Sequence, residues 1–290
     1  MKVSGFTIVR NAIKYDYPIV EAIRSILPIC DEVVVAVGQS EDDTLNLIRS
    51  IDSEKIKIIE TIWNDTLREG GHVLADETNK AMEACSPDSD WCFYIQGDEV
   101  IHENDHADIL DAMFRWNDHP EVEGLLFNYV HFYGSYDYIG DSRRWYSKEI
   151  RIIRNRIGIT SYKDAQGFRK EGRKLNVKPI PAAVFHYGWV KPPQLQQAKQ
   201  ESFHKMWHDD SWMEKNIPKT EAFDYSQIDS LQQFNGTHPD VMKKRIRQKN
   251  WEFSFDPSSK KFGSLKARLL YFIQKQFGWK IGEYRNYKII

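Results

Sequence analysis

Asp90-Trp91-Cys92-Phe93-Tyr94-Ile95-Gln96-Gly97-Asp98-Glu99 changes character once, where the apolar run Trp91 to Ile95 meets a polar turn holding two carboxylates. A short continuous apolar run reads as a strand buried on both faces. Its acidic exit falls where an open α/β sheet offers its binding crevice, at the carboxyl ends of the strands.

On the N-terminal side of this stretch, β-branched runs alternate with helical patterns, the signature of a sheet with helical crossovers. Val3 to Val9 reads as a buried strand and Tyr17 to Leu27 as the helix covering it, with Ile19, Ile23 and Ile26 on one face. Val33-Val34-Val35-Ala36-Val37 is a second strand, leaving through the polar turn Gly38 to Thr44. A helix around Leu45 to Ile51, a strand over Lys55 to Thr61 and a helix from His72 to Cys85 complete this half. The expected inner face of the last helix is Leu74, Thr78, Ala81, Met82 and Cys85.

Toward the C-terminus, Ile109 to Trp116 marks a helix, and Leu125 to Tyr133 and Ile150 to Arg154 mark strands. Periodicity is lost after Thr160 until a strand over Ile180 to Tyr187 that carries His186. Gln194 to Met213 reads as helical and 217–240 as irregular, which places a boundary near Pro218. The expected organisation is a main domain over 1–217, with nucleotide binding in about 1–100 and the acceptor side in about 101–217. A basic, mostly helical extension occupies 218–290.

The chain has 290 residues, 41% hydrophobic and 13% aromatic, ample for a core. Its formal net charge of -2 argues against a dedicated nucleic-acid binder. From Val241 onward there are 13 Lys and Arg against 3 Asp and Glu, so the C-terminal stretch is a separate electrostatic object. Cys30, Cys85 and Cys92 show neither disulfide nor zinc spacing, and no signal-like or bilayer-spanning run is visible. A reducing, cytoplasmic location is expected. Leu265, Leu269, Phe272, Ile273 and Phe277 form a helical apolar stripe beside Lys266, Arg268 and Lys275. The favoured reading is a helix packed on the domain. The alternative is peripheral contact with the inner face of a membrane.

Four features in order resemble the nucleotide-sugar-binding half of a family 2 glycosyltransferase of the GT-A fold, in the nucleotide-diphospho-sugar transferase superfamily. They are the strand end Val9-Arg10-Asn11, the turn Gly38-Gln39-Ser40-Glu41-Asp42-Asp43-Thr44, the helix Ala75 to Ala81, and Asp90 to Glu99. The resemblance spans roughly residues 3 to 190. It implies a Rossmann-like mixed sheet flanked by helices, and transfer of a hexosyl-type group from a nucleoside-diphosphate sugar, UDP-sugar favoured, to a glycan or other acceptor hydroxyl. It further implies inversion, a divalent cation (Mn2+ or Mg2+), and a place in bacterial-type surface glycan synthesis.

The resemblance also implies roles. Val9, Arg10, Gln39, Asp42, Asp76, Gln96, Gly97 and Asp98 would bind the nucleotide sugar. Asp42 has a competing structural reading as a cap for the helix at Thr44. Gln96-Gly97-Asp98 corresponds to the family's Asp-x-Asp motif, with an amide replacing the first carboxylate. Asp98 and His186 would hold the metal, and base recognition falls at Val37 or Gly38. Asp164 is the first candidate for the general base and Glu171 the reserve.

Arg151 and Arg154 are expected on opposite faces of one strand, one meeting diphosphate and the other solvent. Aromatics among His131 to Tyr138, with Trp145 and Tyr146, would offer one or two acceptor platforms. The competing readings are a catalytically impaired nucleotide-sugar-binding relative and a nucleotidyltransferase. The latter would want a glycine-rich loop where Val9 to Lys14 has none.

Overall fold

A computed structural model describes residues 1–67, 69–208, 210–217 and 220–290. The N-terminal strands are β1 (Val3–Val9), β2 (Glu32–Gly38), β3 (Ile56–Thr61), β4 (Trp91–Tyr94) and β5 (Glu99–Ile101). Then come β6 (Gly124–Tyr133), β7 (Ser135–Gly140), β8 (Lys148–Arg154), β9 (Ile159–Tyr162), β10 (Gly167–Lys170) and β11 (Arg173–Lys174). The last are β12 (Asn176–Trp189), β13 (Leu231–Gln233) and β14 (Lys288–Ile289).

The central sheet runs β13-β7-β6-β8-β4-β1-β2-β3, with β12 joining it beside β6 and pairing also with β5 and β14. β4, β1, β2 and β3 are mutually parallel, whereas β8 is antiparallel to both β4 and β6. β9, β10 and β11 form a separate antiparallel sheet.

Helices α1 (Ile19–Ile26), α2 (Thr44–Arg49), α3 (His72–Glu83) and α4 (His106–Trp116) flank the sheet, as expected for a mixed α/β fold. The valine run of β2 shows why both faces are covered. Val33 and Val35 join Ile19, Ile23, Trp91 and Phe93 in one buried cluster, while Val34 and Ala36 join Phe6, Ala81, Tyr94 and Phe168 in another. Successive strand residues point to opposite faces, so a run buried on both must be apolar throughout. The inner face of α3 is Val73, Ala75, Glu77, Thr78 and Ala81, one residue out of phase with the expectation over its first turns.

The expected single helix over Gln194 to Met213 is two, α5 (Pro193–Lys205) and α6 (Asp210–Asn216). The boundary residue Pro218 lies outside the described residues. Beyond it, α7 (Lys243–Arg247) and α8 (Leu265–Phe277) are joined by extended chain. This segment is knit to the rest: β14 pairs with β12, Arg245 forms an ion pair with Asp16, and Lys260 contacts Asp141 at 3.2 Å. The α8 stripe departs from the packed reading, since Leu265, Leu269, Phe272 and Phe277 are all exposed. The helix is attached instead through Tyr271, whose hydroxyl donates to Asp141 at 2.7 Å. No helix among the described residues is long and apolar enough to cross a membrane.

One buried cluster sets the turn after β4. Arg151 is fully buried and grips Glu99 with two bonds, Nε to Oε2 at 2.7 Å and Nη2 to Oε1 at 2.6 Å. Tyr129 donates to the same carboxylate, and the Gln96 backbone N–H donates to it at 3.1 Å. Glu99 therefore pins the Gln96–Asp98 turn to β8, and Arg151 does not meet diphosphate. Arg154 packs over Trp91 at 4.1 Å and donates to the carbonyls of Val122 and His119, so it is not a solvent charge either.

Glu149 is the second carboxylate near that guanidinium, 4.0 Å from Arg151 Nη1, and its Oε2 has no hydrogen-bond partner among the described residues. Burial, with Glu99 already holding the guanidinium, pushes its carboxyl up to about 8. A folded-state value above the unfolded one means the folded chain keeps the proton. The associated stability is complete below the unfolded value of about 4.3 and is lost as pH rises through about 8. Glu149→Gln should therefore raise the melting temperature increasingly between about pH 5 and pH 8. A stability difference that stays constant with pH in paired thermal melts would contradict this.

Candidate functional site

A cavity of about 940 Å³ opens at the carboxyl ends of the parallel strands. Val9 and Arg10 reach it from β1, Trp63 from beyond β3, and Gln96, Gly97 and Asp98 from beyond β4. Asp164 enters from the β9–β10 turn, His186 from β12, and Lys199 from α5. Six of the expected nucleotide-sugar and metal residues thus converge with Asp164: Val9, Arg10, Gln96, Gly97, Asp98 and His186. This is the crevice position that an open α/β sheet favours.

The other expected residues lie elsewhere. Asp42 accepts from Thr44 N at 3.0 Å and Lys14 N at 2.7 Å, an Asx turn that ties two loops together just ahead of α2, whose N-cap is Asp43. Gln39 is exposed and does not line the cavity. Asp76 pairs with Lys80 one turn along α3 at 2.8 Å, the ordinary i,i+4 contact of a helix surface. Glu171 is exposed in the β10–β11 turn with φ 51, away from the cavity lining.

Among the aromatics, Phe132 stacks on Tyr187 at 4.7 Å, and Tyr133 and Tyr136 are buried, so these are core. Of the expected aromatics Tyr146 lines the cavity, joined by Trp189, which lies outside that set. At Gly38, the expected position of base recognition, the space beside the backbone is taken by Trp63. A side chain there would strike the Trp63 indole, 2.3 Å from its Nε1, so glycine makes room for that ring. Trp63 faces the Arg10 guanidinium at 5.4 Å, and its buried indole N–H has no partner among the described residues. Arg10 itself pairs with Asp65 at 2.9 Å.

At the far wall the chain departs from expectation. Asp98 and His186 are brought together, with His186 Nε2 3.7 Å from Asp98 Oδ2. Yet Lys199 Nζ donates to that same oxygen at 2.9 Å and to the Gly188 carbonyl at 2.9 Å. Burial alone would raise the Asp98 carboxyl, but the Lys199 ammonium and the adjacent His186 ring more than offset it and hold it well below the usual carboxylate range. Gln96 turns its amide nitrogen to the Ala165 carbonyl at 3.3 Å. Among the described residues no three His, Cys, Asp or Glu side chains converge as metal ligands. The expected Mn2+ or Mg2+ does not fit this donor set, because the one carboxylate it needs is held by an ammonium.

His186 is oriented from behind. His131 Nε2 faces the Tyr146 carbonyl at 3.0 Å; a carbonyl only accepts, so His131 carries its proton there. Burial and then the neighbouring His186 hold His131 well below the usual histidine range, and its Nδ1 is left as acceptor for His186 Nδ1 at 3.3 Å. The His186 Nε2 edge is thereby directed at Asp98.

Gly188 sits where β12 slips register against β6, between His186 and Trp189. A Cβ there would lie 2.4 Å from His186 Nε2 and 2.7 Å from Asp98 Oδ2. Gly188→Ala should therefore force the two groups apart, lowering stability by about 1 to 3 kcal/mol and nucleotide affinity about tenfold or more. Unchanged affinity in a calorimetric titration would remove Asp98 and His186 from the binding surface.

Asp164 is half-buried in a turn flanked by Lys163 and Ala165 at φ 54 and 59, conformations that hold the side chain at the cavity edge. Burial raises its carboxyl above the usual range. Gly71, at φ +74, packs against it so closely that an added Cβ would come within 3.0 Å of the Asp164 Cβ.

Neither Lys199 nor Trp63 stands out in the sequence as a site residue. A signal for Lys199 does exist: the inward residues of α5 are Gln196, Gln197 and Lys199, a polar face where a purely structural helix would be apolar.

No protein-family profile matches the chain, and no curated protein matches it. Among solved structures, S. aureus TarS 1-349 in complex with UDP is 23% identical over 46% of this chain and 37% of that one, with a TM-score of 0.35. A second S. aureus TarS structure is 16% identical over 76% and 41% of the two chains, at a TM-score of 0.41. Glucosyl-3-phosphoglycerate synthase from Mycobacterium tuberculosis, in complex with Mn2+, UDP and phosphoglyceric acid, is 17% identical over 45% and 43%, at 0.30. The chain thus spans about two fifths of the length of these proteins.

Proposed function

We propose that the protein is a glycosyltransferase taking its sugar from a nucleoside-diphosphate donor, with UDP-sugars favoured, and passing it to an acceptor hydroxyl with inversion. The observation that supports this best is the convergence of Arg10, Gln96, Gly97, Asp98, His186 and Asp164 on one strand-end cavity. Parallel pairing sets the β1, β3 and β4 exits on one edge, and the returning β12 closes the cavity from the far side. Trp63 supplies a flat face for the base, and Tyr146 and Trp189 offer flat faces to the acceptor.

Transfer then needs two things of this chain. Asp164 accepts the proton of the acceptor hydroxyl as its oxygen attacks the anomeric carbon. The bond from that carbon to the β-phosphate oxygen breaks on the opposite side, and the electron pair stays with the diphosphate. Charge developing there is met by preorganised donors of the strand-end wall. Asp164 suits the base role because its raised carboxyl is a stronger proton acceptor than a solvated one, once ionised.

The test is a donor-by-donor screen for nucleotide release from nucleotide sugars, run with and without candidate acceptors. Release from one donor, abolished by blocking the cavity with Gly97→Trp, is the expected result. A second reading, a nucleotide-sugar-binding protein without transfer, is favoured by Gln96 in place of a carboxylate. It predicts donor binding without release.

A further inference from the structure

The geometry points to Lys199 as the built-in replacement for the divalent cation: its ammonium, seated on Asp98, is the positive charge that receives the donor's diphosphate. This rests on the nucleotide-sugar reading above. The ammonium occupies the place on Asp98 that a cation would need. Nζ is 2.9 Å from Asp98 Oδ2 and 2.9 Å from the Gly188 carbonyl, and it faces the Tyr17 ring at 5.1 Å. An ammonium has three N–H donors, and among the described residues the third has no acceptor. Lys199 lines the same cavity as Gln96, Gly97 and Asp98, so that donor is available to a ligand oxygen.

The surroundings hold this side chain in place. Tyr17 is shared with a second lysine, Lys191, which is fully buried and ties β12's exit to the Tyr15 and Asp16 carbonyls at 2.7 and 3.1 Å. Pro193 at the first turn of α5 starts the helix that presents Lys199. A divalent ion approaching Asp98 would meet an ammonium already on its oxygen, and Gln96 offers no charge to draw it in. A diphosphate, by contrast, meets a cation whose own countercharge is a single carboxylate, with Arg10 on the same cavity wall. Charge compensation of the leaving group therefore comes from the chain itself.

The experiment is calorimetric titration of the full chain with UDP, GDP, CDP and ADP, each in EDTA and in MnCl2. At least one nucleotide is expected to bind in EDTA, with Mn2+ changing its affinity by less than about threefold. Lys199→Met should weaken that binding about 10- to 100-fold, the worth of one charge-assisted hydrogen bond, and Lys199→Arg should restore part of it. Because Lys199→Met leaves Asp98 buried without its partner, the charge-neutral pair Asp98→Asn/Lys199→Met is measured alongside with its melting temperature. It should fold and show the same loss. Binding that requires Mn2+ in the wild type, or wild-type affinity in both Lys199→Met variants, would overturn the inference while leaving the transferase reading standing. Failure of every nucleotide to bind in either buffer would overturn both.

Discussion

Arg151→Met is expected to destabilise the protein by about 3 to 5 kcal/mol, the cost of leaving a buried partner charge uncompensated. Glu99 and Arg151 are both fully buried, and the guanidinium supplies two of the bonds the carboxylate receives. Methionine matches much of the arginine stem and none of its charge, so Glu99 would remain with only Tyr129 and the Gln96 backbone N–H. The double variant Glu99→Gln/Arg151→Met removes both charges and should recover most of the loss. Urea unfolding of the two variants checks this. Equal stability of Arg151→Met and wild type would mean that the pair does not anchor the strand-end turn, and nucleotide affinity should then be unaffected too.

Asp164→Asn should lower the rate of sugar transfer by about 10²- to 10⁴-fold, the usual worth of a general base, with the donor's dissociation constant nearly unchanged. Asparagine keeps the size of the side chain and its place against Gly71 but cannot accept the acceptor's proton. Single-turnover kinetics separates the chemical step from binding. Full activity in Asp164→Asn would remove it from the mechanism. Since Glu171 is exposed in another turn, the role would pass to a different carboxylate of the cavity rather than to Glu171.

The frame of the protein is legible in its sequence because a parallel sheet covered on both faces needs unbroken apolar strands. Val33 to Val37 and Trp91 to Ile95 can hardly be anything else. The same clarity extends to the residues just past β1 and β4, and so Arg10 and Gln96 to Asp98 fall in one crevice on sequence grounds, whereas Gln39 just past β2 does not line it. The small sheet of β9, β10 and β11 is less legible. Its turns use Lys163, Ala165 and Glu171 at positive φ, residues that give no turn signal of their own. Positive φ at a glycine is readable; at a lysine or glutamate it is set by the surroundings.

Periodicity likewise states that a helix has an apolar stripe but not what covers it. In α8 the stripe faces outward, and Tyr271, outside the stripe, makes the attachment. For α5 the reverse holds: a weakly amphipathic segment puts a lysine inward, where it meets a buried carboxylate. Local pattern reports burial of apolar surface well. It is silent on a buried charge whose partner, Asp98, stands 101 residues away.

A crystal structure of the full chain, grown in EDTA with the tightest-binding nucleoside diphosphate, is the decisive measurement. The diphosphate should lie against the Gln96–Asp98 turn within hydrogen-bond reach of Lys199 Nζ, with the base on the face of Trp63. A nucleotide bound elsewhere on the molecule, with the strand-end cavity empty, would refute the assignment of this cavity to the sugar donor.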